Sequence, residues 1–189
     1  MCIFTCNGFV GNCNMNGMNK LYWLKWIISF AFIFSITTEL KSQDEKLKAI
    51  FVYNFTRYID WPQKPGNFVI VVLGRSPIYT EIEDIASKKK VGSVAIEVKS
   101  ANSPEEITDG HIIYISSSKT NSLPLIVAKS QEMHMLVITE KEGACKNGSG
   151  INFVNKDGKL SFEIAKTNLA SCGLVVSSSL LGLGTVIKE

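Results

Sequence analysis

His111 and His134 are the chain's two imidazoles, and each opens a run that reads as a buried strand. An imidazole can move protons near neutral pH or ligate a metal. A zinc site would need further cysteine or carboxylate ligands at characteristic spacings, and no HExxH pair or comparable set accompanies these residues. Both read as histidines satisfied at strand ends. Gly148-Ser149-Gly150 lacks the glycine two residues before the serine that a nucleophile elbow requires, so it reads as a flexible approach to the strand at Ile151. Leu73-Gly74-Arg75-Ser76-Pro77 follows a strand, where phosphate loops are found, but GxGxxG is absent and Pro77 interrupts the turn. Glu81, Glu83 and Asp84 read as a solvated helix face. These residue types assemble no catalytic set, so the chain reads as a non-enzyme that needs no cofactor and no metal.

The elements that carry these residues alternate. Phe68 to Leu73, His111 to Ile115 and Met135 to Thr139 are continuous apolar runs, the pattern of strands covered on both faces. Val94 to Val98 alternates as a further strand. Helices are expected over Ile78 to Ser87 and Leu123 to Ser130, with Lys88, Lys89 and Lys90 as a solvated helix end favoured by the helix dipole. Strand, helix, strand, strand, helix, strand argues for an α/β fold, a mostly parallel central sheet with helices on both faces. A C-terminal hairpin follows, Ile151 to Asn155 and Lys159 to Ile164, turning at Asn155-Lys156-Asp157-Gly158. After it comes a helix over Ala165 to Cys172 with Gly173 just past its end, and a short final helix capped from Ser177 to Ser179.

Residues 18 to 42 begin with a methionine, carry Lys20 and Lys25, and continue into a charge-free apolar run from Trp26 to Ile36. This order is that of a secretory signal peptide, with cleavage placed between Thr37 and Gln43. The 11-residue run is short of the roughly 20 residues a membrane span wants. A retained anchor is the alternative. Residues 1 to 17, with Cys2, Cys6 and Cys13 among Asn and Gly, read as a misassigned start, leaving 43 to 189 as a single domain. Without residues 1 to 42 the chain has 17 basic and 16 acidic residues, a net charge of +1. Such balance offers no footprint for nucleic acid or an anionic membrane. In an exported chain the remaining pair, Cys145 and Cys172, reads first as a disulfide. Closing that loop would be worth about 3 kcal/mol. Two separate buried thiols are the other reading.

The stretch LKAIFVYNFTRYIDWP, residues 47 to 62, reads as a helix stopped at Trp61-Pro62. At 100° per residue Leu47, Ile50, Phe51, Val52, Phe55, Tyr58, Ile59 and Trp61 fill an arc of roughly 200°, about twice the stripe that core packing needs. The surplus asks for a cover. Asn54 lies within the arc, and an amide buried there must find partners in neighbouring backbone. Arg57 and Tyr53 border the arc, where they would meet a partner. Trp61 would fill a pocket of the domain or serve as a binding anchor. The candidate partner-binding set is Tyr53, Phe55, Arg57, Ile59 and Trp61.

With YNFTRYIDWP followed by FVIVVLGRSPI at 68 to 78 and HIIYISSS at 111 to 118, the chain resembles the YfiR-like family of exported bacterial proteins. The tail extends the resemblance through GSGINFVNKDGKLSFEI at 148 to 164 and GLVVSSSLLGLG at 173 to 184, so that it covers nearly all of residues 45 to 184. It implies a compact periplasmic α/β domain, often dimeric. Relatives bind the outer part of an inner-membrane diguanylate cyclase and hold it inactive, which lowers cyclic di-GMP and restrains biofilm formation; others accompany sensor kinases. Disulfides support some members. Two departures are Ala165, where Asn is commoner, and the ending LLGLG.

The function expected is that of a periplasmic regulator binding an inner-membrane signalling protein, a diguanylate cyclase or a histidine kinase, with a homodimer as a second way to cover the arc. The alternative is a small-ligand-binding domain with its cleft near Gly74 and Ser116, Ser117 and Ser118, at the carboxyl ends of the strands.

Overall fold

In the computed structural model, which describes residues 43–62 and 65–187, the central strand β2 (Phe68–Leu73) is buried at every position. Alternate side chains leave opposite faces of a strand. Phe68, Ile70 and Val72 accordingly enter one apolar cluster, and Val69, Val71 and Leu73 enter another. The readings of residues 1 to 17 and 18 to 42 lie outside the described residues.

Among the described residues eight strands form the sheet, in the order β10-β8-β7-β6-β5-β2-β4-β3. They are β3 (Lys90–Val91), β4 (Val94–Ala101), β5 (Ile112–Ile115), β6 (Leu136–Thr139), β7 (Ile151–Lys156), β8 (Lys159–Ile164) and β10 (Thr185–Val186) around β2. The run from β4 through β2, β5 and β6 to β7 is parallel, whereas β3–β4 and β7–β8 are antiparallel. The mostly parallel sheet with a C-terminal hairpin is therefore present as expected. At the hairpin turn Asp157 and Gly158 both take positive φ, 53° and 75°. An Asp-Gly pair tolerates that conformation.

Helix α1 (residues 43–58), α2 (Ile78–Lys88) and α4 (Lys166–Ser171) pack on the first face, where the cluster is rich in aromatic rings. Helix α3 (Leu123–Met133) covers the second, which is aliphatic. Pro124 sits in the first turn of α3, where no amide is missed, and His134 ends the helix in the left-handed conformation. The last helix, α5 (Ser178–Leu181), is capped by the Ser177 hydroxyl, which accepts from the Leu180 amide.

Short pairings were not visible in the sequence. Ile59–Asp60 (β1), read as helix, pairs antiparallel with Val175–Val176 (β9), and the Ser177 amide donates to the Tyr58 carbonyl at 2.9 Å. These contacts tie the end of α1 to the C-terminal tail. Lys88 ends α2 and pairs with Asp84, but Lys90 already belongs to β3.

A candidate docking face on the first helix

Helix α1 meets the core along one side. Ala49, Val52 and Phe55 are buried, as is Ile59 in the strand that follows. Phe55 lies 5.2 Å from Phe162 and 6.1 Å from Phe153, centroid to centroid, and Phe51 is 5.3 Å from Phe162. Such ring pairs add about 0.5–1.5 kcal/mol beyond burial itself.

The start of the helix is pinned differently. Lys48 Nζ lies 3.0 Å from Glu45 Oε1 and 2.5 Å from Glu140 Oε2, and the Tyr114 hydroxyl donates to the other Glu140 oxygen. Lys48 and Glu45 are both buried, and Tyr114 completely so. Burial alone would lower the Lys48 pKa; hydrogen bonds to Glu140 and Glu45 and their negative charges outweigh it, so the value is raised. Sequence reasoning passed over this triad. The i, i+3 pair Glu45 and Lys48 was legible, but its meeting with Glu140, just beyond β6, depends on the fold.

On its other side α1 remains apolar. Leu47, Ile50, Phe51, Asn54 and Tyr58 follow i, i+3, i+4, i+7 and i+11, which places them in one stripe. Leu47 is 38% exposed, Ile50 47% and Tyr58 36%. Beside the stripe a groove of about 290 Å³ opens toward α2, lined by Ile50, Tyr53, Asn54, Asp84, Ile85 and Lys89.

The candidate partner-binding residues divide accordingly. Phe55 and Ile59 lie in the core and offer no surface to a partner, because they occupy the sector of the arc that faces the sheet. Arg57 is exposed. Tyr53 is half-buried, and its hydroxyl reaches the Lys90 carbonyl at 3.4 Å. Trp61 is half-buried too, edge-on to Phe68, with its indole N–H donating to the Thr56 carbonyl. Asn54 is half-exposed on the stripe rather than sealed, which removes the requirement that it bond a neighbouring segment. Leu47, Ile50 and Tyr58 are the surface that the arc leaves over.

The residues considered for chemistry have structural partners. His111 Nδ1 accepts from the Val69 amide, and its ring stacks on Phe68 at 4.3 Å. His134 Nδ1 lies 3.0 Å from the Cys172 carbonyl oxygen. Ser149 is fully buried, accepting from Thr139 and lying 2.8 Å from the Ile151 carbonyl oxygen. Among the described residues no group of three or more His, Cys, Asp and Glu could hold a metal ion. Cys145 and Cys172 are both buried and are not joined. The expected bridge is thus replaced by the alternative of separate thiols: Cys172 Sγ lies 3.6 Å from Ser130 Oγ, and Asn168 instead links α4 to the Cys145 and Ser149 carbonyls.

At the switch point between β2 and β5 the backbone of Gly74 is approached closely by its neighbours. Gly74 has φ 83°, and a Cβ there would lie 2.4 Å from Ser116 Oγ and 2.6 Å from Lys119 Cγ. Ser116 and Lys119, in the loop after β5, thus pack directly against Gly74, where a ligand cleft was expected.

The described chain is thus a mostly parallel α/β sheet with helices on both faces and a C-terminal hairpin, and it leaves an apolar helix face at the surface. The YfiR/HmsC-like family pattern matches residues 45–185, and the chain belongs to that family. No curated protein matches the chain. The family is periplasmic, and its role is regulatory rather than catalytic. Among the described residues no helix is long and apolar enough to cross a membrane.

Proposed function

We propose that this protein is a non-enzymatic periplasmic regulator that binds the outer segment of an inner-membrane signalling protein, a diguanylate cyclase or a sensor histidine kinase, and holds it inactive. The observation that carries this reading is the exposed stripe Leu47, Ile50 and Tyr58 on a helix whose opposite side is locked into the core. A partner helix or loop laid along α1 would cover it, with Arg57 at the rim and the groove beside Ile50 receiving an anchoring side chain. Restraint then follows from differential affinity. A regulator that prefers the partner's inactive state shifts the partner toward it by that difference.

Co-purification from solubilised membranes tests the reading. The wild-type protein should recover an integral-membrane cyclase or kinase, and Ile50→Asp should lose it while keeping its fold. Recovery of no membrane signalling protein, or recovery indifferent to Ile50→Asp, would refute it. The export step has its own check, because the mature protein should begin between residues 37 and 43 on N-terminal sequencing.

A further inference from the structure

The groove between α1 and α2 is lined by Ile50, Tyr53 and Ile85, and the charges around it are unevenly answered. Among the described residues Asp84 supplies the carboxylate of the lining, and it holds Lys88 Nζ at 2.6 and 2.8 Å. Lys89, next along the lining, is exposed. On α1, Lys46, Ile50, Tyr53 and Arg57 fall at i, i+4, i+7 and i+11, one line along the helix. Lys46 and Arg57 end that line and are exposed. Among the described residues Lys46, Arg57 and Lys89 enter no ion pair. Asp44 lies roughly 160° round the helix from Lys46, away from the groove. Glu81, one turn before Asp84 on α2, is outside the lining. Residues 43 to 189 are otherwise nearly balanced in charge, so this excess is local.

Resting on the docking role proposed for α1, we infer that the partner segment seated there is acidic. An apolar side chain enters the groove beside Ile50, and carboxylates on either side of it meet Lys46 and Arg57, with Lys89 facing the same segment from α2. Lys46 and Arg57 stand about 16 Å apart along the helix. A partner helix laid along the groove therefore carries its acids about three turns apart, with the anchor between them. Burial of the anchor supplies affinity. The cations supply selection, because a segment with the same anchor and basic flanks meets like charge at both ends. An anionic bilayer would also answer the cations, but its surface is broad, whereas a groove of about 290 Å³ beside the Asp84–Lys88 pair suits a single side chain.

Carbodiimide coupling tests this, since it joins an ammonium to a carboxylate where the two touch. Protein expressed from the full chain, coupled while bound to its membrane partner, should be linked through Lys46 or Lys89 to Asp or Glu of the partner's outer segment. Lys46→Glu with Arg57→Glu should lower capture roughly tenfold or more, with circular dichroism showing the fold intact, while Arg57→Lys should stay within about twofold of wild type. Changing the linked partner carboxylates to Lys should restore capture by the doubly reversed variant. Raising NaCl from roughly 0.05 to 0.5 M should weaken wild-type capture about fivefold. Capture that survives both the double reversal and high salt, yet is lost in Ile50→Asp, overturns the acidic partner and leaves the docking face standing. Capture indifferent to Ile50→Asp removes the docking face, and the acidic partner with it. Links confined to other lysines overturn the inference, as does charge-dependent binding to vesicles of phosphatidylglycerol and phosphatidylethanolamine, which would assign the cations to lipid.

Discussion

On its inner side α1 presents Val52 and Phe55 to rings and strands that leave them no exposure, while on its outer side Leu47, Ile50 and Tyr58 remain between a third and a half exposed. Both sides are apolar, so hydropathy alone does not separate them. What separates them is reach: Phe162 and Phe153 of the hairpin come up to meet Phe55, and no described element rises to meet Ile50 in the same way. One side holds the domain together. The other stays partly exposed.

Substitutions can break or sharpen that contrast. Phe55→Ala should cost the most, about 3–5 kcal/mol of unfolding free energy in chemical denaturation, because the ring is fully buried against Phe153 and Phe162. Lys48→Met should cost about 2–3 kcal/mol at neutral pH by the same measurement, since it leaves the Glu45 and Glu140 carboxylates facing one another without their cation. The Lys48 pKa is raised by folding, so its contribution is whole below the ordinary value of 10.5 and is lost as pH climbs through the higher folded value. Wild-type denaturation should show that alkaline loss, and the Lys48→Met curve should lack it. On the aliphatic face Ile126→Val should cost only about 0.5–1.5 kcal/mol, as one methyl leaves a fully buried site. Ile50→Asp should change stability least, within about 0.5 kcal/mol, yet abolish partner capture. If Ile50→Asp instead unfolded the domain, the outer side would have to be counted as core.

Much of the architecture was legible because the strands are long, unbroken apolar runs whose burial on both faces depends on little else. Phe68 to Leu73 reads the same in sequence and in space. The turn chemistry at Asp157-Gly158 and the serine cap at Ser177 are equally local, and both were found. Helix α1 was legible only in part. Periodicity revealed an arc too wide for one interface, but the sector that meets the sheet is set by where Phe153 and Phe162 arrive from the hairpin. That is why Phe55 and Ile59 were grouped with a surface they do not join, and why Leu47, Ile50 and Tyr58 were left out of the candidate set. The Lys48 triad escaped for the same reason, since Glu140 lies 92 positions away along the chain. The cysteines misled through compartment: an exported chain with an even pair suggests a bridge, but packing beside Ser130 gives Cys172 a place without one.

The two-residue ladder between β1 and β9 has a mechanical consequence. It clasps the far end of α1 to the tail, and the Tyr58 carbonyl that receives the Ser177 amide belongs to the exposed apolar stripe itself. Proteolytic trimming beyond Leu174 would unfasten that clasp and let the helix fray from Tyr58 backwards. Leu180 of the same tail lies in the buried core, so a clip there would loosen the far end of α1 and the packing beneath it together.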